Sequence, residues 1–140
     1  YACLMAGYTL ANAGTVIVHA LAHVIGARTH TPHGICNTVG LLPLMRFFAA
    51  RVPERVAGLA SALGVTDTVM GDRARAQAAV EQMQALVASV HLPVRLRDIH
   101  VDHDDLPDIA RITAGSKRLM SQSPAQASEA ELVAMLEEIY

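Results

Sequence analysis

Apolar residues recur at helical spacing along almost the whole of this chain. No stretch shows the sustained apolar-polar alternation, rich in β-branched side chains, that marks a half-buried strand. The expected fold class is therefore all-α, a multi-helical bundle. The clearest case is residues 72–90, where Ala76, Ala79, Val80, Met83, Leu86, Val87 and Val90 share one face and Arg73, Arg75, Gln77, Glu81 and Gln84 lie largely on the other. Residues 1–26 read as one apolar, buried helix in which Gly7 and Gly14 mark close packing against another helix, since each weakens a helix by about 1 kcal/mol relative to Ala. After a loop at 28–32 comes a second apolar helix, 33–52, which Pro43 is expected to kink or split because proline lacks the amide proton of the ladder. A short helix at 54–63 precedes Gly64, placed where a left-handed cap belongs, and Thr66-Asp67 starts a turn. Residues 102–105 resemble the capped start of a helix reaching about 114, whereas 116–127 is polar and loop-like. Ser128 with Glu131 forms a capping box for a terminal helix carrying Leu132, Met135, Leu136 and Ile139.

With 140 residues and 52% apolar composition the chain can build one core. The formal charge of −2, without any run of Lys or Arg, supplies no field for a phosphate backbone, so nucleic acid is not an expected partner. Cys3 and Cys36 are far apart and form no C-x-x-C pair, which argues against a disulfide framework or a Cys-rich zinc site and suits a reducing cytoplasm. Asn12, His19 and His23 interrupt the apolar opening and no charged region precedes it, so neither a membrane span nor a signal peptide is expected. The opening on Tyr1, apolar from the first residue, is expected to continue an element that begins upstream, in a larger protein.

Chemistry concentrates in four histidines spaced His19-x3-His23-x6-His30-x2-His33. On a helix His19 and His23 stand one turn apart on one face, and the bend at 28–32 lets His33, at the start of the next helix, return toward that face. Neutral imidazole is the usual nitrogen ligand for zinc, iron, copper or nickel. Three imidazoles in so apolar a region are costly unless something binds them. His30 reads as exposed, and His91, His100 and His103 as core histidines satisfied by carbonyls. Asp102-His103-Asp104-Asp105 reads as a solvated turn and cap.

These residues carry a resemblance. Ala6-Gly7, Asn12-Ala13-Gly14, His19-Ala20-Leu21-Ala22-His23, Gly26-Ala27, Pro32-His33-Gly34 and Leu42-Pro43 together resemble the signature region of the iron-containing alcohol dehydrogenases. Arg55 to Gly64, Leu92-Pro93 and Leu96-Arg97-Asp98 are similar to weaker elements of that family. The chain departs from it at Thr15-Val16, at Val24 where proline is frequent, and at Ser123-Pro124-Ala125 where Asn-Pro-Arg is usual.

The resemblance implies the latter part of a C-terminal helical domain with a dehydroquinate synthase-like fold, its nucleotide-binding α/β domain and first helices lying upstream. It implies an oxidoreductase that interconverts an alcohol with an aldehyde or ketone through NAD or NADP, bound by that upstream domain, and a divalent metal, Fe(II) or Zn(II). His19 and His33 match the family's metal ligands, and His23 matches the histidine beside nicotinamide and substrate. Two further ligands and the glycine-rich nucleotide loop have no counterpart, so the isolated chain is expected to be inactive, and the intact enzyme a homo-oligomer. Two rivals stay open: a standalone metal-binding helical module using His19, His23, His30 and His33, and a non-catalytic interaction fragment.

Overall fold

The apolar opening segment, expected as one helix, folds in the computed structural model as two, α1 (Ala2–Ala13) and α2 (Ile17–Thr29), bent by 106°. The break is at Gly14, whose φ of 72° and ψ of −161° lie in a region essentially closed to residues with a Cβ. Gly14 is thus a corner, whereas Gly7 has no atom near the position of a Cβ and marks no close packing. The expectation of burial holds for half of the segment. α2 buries Ile17, Ala20, Leu21, Ala22 and Ile25, while no residue of α1 is buried.

The structure describes residues 1–66 and 69–140, and the turn expected from Thr66-Asp67 onward lies outside the described residues. After α2 come α3 (His33–Arg51), α4 (Pro53–Ala57), α5 (Asp72–Ser89), α6 (Leu106–Ala114), α7 (Lys117–Ser121) and α8 (Glu129–Glu138), with short 3-10 turns at Leu96–Ile99 and His103–Asp105. There is no strand among the described residues, so the fold is all-α as expected. No single helix among them is long and apolar enough to cross a membrane.

Two cores form, and α3 joins them. The larger packs Ile17, Leu21 and Ile25 of α2 against Cys36, Val39 and Leu44 of α3, and closes with Leu106 and Ile109 of α6 and Leu132 and Leu136 of α8. The smaller holds Met45 of α3, Val56 and Ala57 of α4, and Ala76, Ala79 and Val80 of α5, with Phe48 packed against both. Pro43 lies within an unbroken α3. Its neighbours Leu42, Leu44 and Met45 are all buried, and burying such side chains at about 1.5–3 kcal/mol each outweighs a proline penalty of about 3 kcal/mol.

Other boundaries shift from the expected ones for identifiable reasons. The helix expected over 54–63 stops at Ala57, beside the weak helix former Gly58, and continues as turns to Gly64, which has the expected positive φ of 89°. Residues 116–127 are not all loop. Leu119 and Met120 are buried, and that pair draws α7 onto the body of the molecule over a span too short for periodicity to announce. The capping box is present as expected: Ser128 Oγ accepts the Glu131 N–H and the Glu131 carboxylate accepts the Ser128 N–H. On α5 the expected face is only partly covered, since Leu86 and Val90 stay about half exposed.

Candidate metal centre

α2 and α3 form a hairpin whose closeness depends on one residue. A Cβ on Gly40 would stand 2.9 Å from Leu21 Cδ2, so glycine permits the approach of the two backbones. The connection is short and tied. His30 ends α2 in the left-handed conformation, φ 55°, with its N–H on the Gly26 carbonyl. Thr29 Oγ1 donates to the Ile25 carbonyl and lies 2.7 Å from Thr31 Oγ1, while the Thr31 hydroxyl reaches Ile99 and the Cys36 thiol reaches the Thr31 carbonyl. Pro32 then opens α3 with its carbonyl accepting from Ile35 and Cys36, which sets His33 at the first helical position.

The three expected residues come together. His19 Nδ1 and His33 Nε2 are 3.1 Å apart. The His33 ring lies between the other two, its centroid 5.2 Å from that of His19 and 5.1 Å from that of His23, nearly stacked on the latter. His30 is exposed, as expected. His91 and His100 are not core residues: both are exposed, with positive φ of 54° and 62°. His103 is exposed too, paired with Glu137 at 2.9 Å and edge-on to Tyr140. The expected carbonyl partner is present for His91, whose Nδ1 lies 3.1 Å from the Ala88 carbonyl, but at the surface and not in the core. The reading of Asp102 to Asp105 holds for the turn, a 3-10 turn at His103–Asp105, but not for the cap: neither Asp102 nor Asp105 accepts a capping hydrogen bond through its side chain, and Asp105 instead pairs with Arg28 at 3.0 Å.

His19 is partly buried, and burial, then the neighbouring charges of His33 and His23, hold its pKa below the ordinary value for histidine. The shift favours neutral imidazole, the form with a lone pair to donate. Two metal-bound nitrogens at about 2.0–2.1 Å from one ion stand about 2.8–3.4 Å apart, depending on whether the angle is octahedral or tetrahedral. The His19–His33 pair fits that spacing as one edge of a coordination shell. Among the described residues no group of three or more His, Cys, Asp or Glu could hold an ion unaided. The donors present therefore fit a metal as a partial set.

Beyond the rings, an open cleft of about 480 Å³ between α2 and α6 is lined by His23, Ala20, Val24, Ala27, Ile112 and Ser116. Arg28 borders it and grips Asp105 and Asp108, pinning the end of α2 to the start of α6. Two contributors went unseen in the sequence. Gly40 carries no local signal, and Ser123, on the segment read as loop, hydrogen-bonds the Ile17 N–H at 3.0 Å and the Leu119 carbonyl at 3.0 Å.

The model of the Fe-containing alcohol dehydrogenase family, C-terminal, matches residues 1–140. The chain belongs to that family. Among its relatives are lactaldehyde reductase of Escherichia coli (strain K12), 36% identical over 76% of this chain and 28% of the relative, and 1,3-propanediol dehydrogenase of Klebsiella pneumoniae, 30% identical over 100% of this chain and 36% of the relative. The crystal structure of a 1,3-propanediol oxidoreductase superposes with a TM-score of 0.90 and 29% identity, over 98% of this chain and 36% of that one. The chain thus spans about a third of the length of these relatives. Membership in the iron-containing alcohol dehydrogenases implies dependence on a metal and on a nicotinamide nucleotide.

Proposed function

We propose that this chain is the metal-facing helical part of an NAD- or NADP-dependent alcohol dehydrogenase that interconverts small alcohols with aldehydes or ketones. The observation that carries this reading is the 3.1 Å approach of His19 Nδ1 to His33 Nε2 with His23 beside them, in a chain of this family. His19 and His33 are the metal ligands, for Fe(II) or alternatively Zn(II), and His23 is the residue that orients substrate or relays a proton. When bound, the divalent metal supplies Lewis acidity toward the substrate oxygen and the nicotinamide accepts or donates hydride. His19 stays neutral down to lower pH than an ordinary histidine, so its lone pair is free for ligation. His33, held by the Pro32 cap, presents Nε2 to the same point. His23 keeps an exposed ring at the mouth of the apolar cleft, with access both to that point and to solvent, as proton transfer requires. The remaining ligands and the nucleotide site belong to the N-terminal part of the protein.

α1 gives the second part of the proposal. Tyr1, Leu4, Met5, Tyr8 and Leu10 are each at least half exposed on a helix directed away from the core. We assign this face to packing against the N-terminal part, which the relatives' length includes. A standalone metal module is disfavoured by the absence of a sufficient donor set among the described residues.

The test uses the full-length enzyme. His19→Ala and His33→Ala should each remove metal and activity together, while His23→Ala should keep its metal and lose about a hundredfold in turnover. Elemental analysis beside turnover rates decides: full metal in His19→Ala ends the ligand assignment, and equal metal loss in His23→Ala ends the distinct role of His23.

A further inference from the structure

The first turn of α2 carries His19, and the element that holds this turn lies more than a hundred residues away. Helix starts leave N–H groups without partners inside the helix. At α2 no local side chain caps the turn: Val16 is the capping residue and cannot accept a hydrogen bond through its side chain. The Ile17 N–H, on a residue with no exposed surface, is accepted instead by Ser123 Oγ at 3.0 Å. The same hydroxyl donates its single proton to the Leu119 carbonyl at 3.0 Å, so its orientation is determined. Ser123 is itself buried, and Gln122 packs its side chain against the Gly14 corner just before this turn. The His19 N–H closes the turn on the Val16 carbonyl at 2.9 Å. Clamped backbone therefore runs from Gly14 through Ile17 to the residue bearing the imidazole.

We infer that Ser123 is a positioning residue for the metal centre, acting through the Ile17 N–H to fix the backbone of His19. The inference rests on His19 being a metal ligand. His23, a full turn further on, and His33, on α3, are anchored by other contacts, so loss of the clamp bears chiefly on His19.

The control is inside the molecule. Ser128 also satisfies a helix N-terminus, that of α8, far from the histidines in sequence and on another helix. In the full-length protein loaded with Co(II), Ser123→Ala should weaken metal affinity about tenfold and shift the visible cobalt absorption, the signature of ligand geometry. Ser128→Ala, the same chemical deletion, should leave both unchanged, and Ser123→Thr, which keeps the hydroxyl, should restore both. Equal affinity and an identical cobalt spectrum in Ser123→Ala and the unsubstituted protein would overturn the inference, as would equal effects of the two alanine variants. Should Ser123→Ala not fold, hydrogen exchange in the unsubstituted protein decides. The Ile17 amide, at a helix position that ordinarily exchanges freely, should be protected, and exchange at an unprotected rate refutes the clamp. Metal retention in His19→Ala instead removes the ligand assignment itself, whatever Ser123 does.

Discussion

α1 and α2 are consecutive helices of 12 and 13 residues, both rich in Ala and large apolar side chains, and their fates are opposite. α2 is the axis of the larger core, with Ile17 and Ile25 wholly removed from solvent. α1 buries nothing. Hydropathy reports that a surface needs a partner, and not where that partner is. α2 finds its partners within the chain, on α3, α6 and α7. For α1, the proposed partner lies in the part of the enzyme outside these residues. The corner at Gly14 separates the helix stabilised by its own core from the one left to an interface.

The largest expected effect follows from that contrast. In the 140-residue chain Ile25→Ala should cost about 2–5 kcal/mol of unfolding free energy, the range for emptying a well-packed core position. Leu4→Ala, at a 57% exposed site, should stay within about 0.5 kcal/mol of the unsubstituted chain. In the full-length enzyme the Leu4 substitution should become costly while Ile25→Ala keeps its effect. Urea titration of both proteins measures this, and a large Leu4→Ala effect in the 140-residue chain would break the comparison, since α1 would then have a partner inside it.

The same contrast explains what could be read from sequence. The all-α class, α5, the α8 capping box and the convergence of His19, His23 and His33 were legible because each depends on spacing within one helix or across one short turn. The departures arise where distant residues decide. The corner at Gly14 has Gln122 beside it and Ser123 on the Ile17 N–H, contacts that span over a hundred residues and leave no local pattern. Gly40 matters only because Leu21 lies across from it. Pro43 stays inside an unbroken α3 because its neighbours are buried, which periodicity cannot weigh against the local penalty. His91 and His100 depart from the core setting for a different reason: they occupy positive-φ turns at the surface, although His91 keeps a carbonyl partner in Ala88.

A smaller effect tests the corner. Gly14→Ala should destabilise the 140-residue chain by about 1–3 kcal/mol, because alanine is strained at φ 72°, ψ −161°. The added Cβ would also meet the Gln122 side chain at 2.9 Å, but its amide end is flexible and can withdraw, so backbone strain dominates. Gln122→Ala should therefore rescue little of the loss. A neutral Gly14→Ala would mean that α1 and α2 can run on as one straight helix, and the separation of their roles would go with it.

The smallest expected effect distinguishes the two helices by pH, since α1 contains no histidine and α2 carries His19 and His23. Burial, then the charges of His33 and His23, depress the His19 pKa in the folded chain, while in the unfolded chain it returns to about 6.5. Below that value the unfolded state takes up a proton that the folded state resists. The contribution of His19 is thus fully present above about pH 6.5 and is lost as pH falls through the lower, folded value. Urea midpoints of the metal-free chain should decline across that window. His19→Gln, which cannot titrate, should flatten the decline, whereas Leu4→Ala on α1 should leave its slope as it was. An unchanged slope in His19→Gln, or stability that rises on acidification, would show that His19 does not carry the pH dependence assigned to it, and that the histidine face of α2 is no more sensitive to protons than the helix before it.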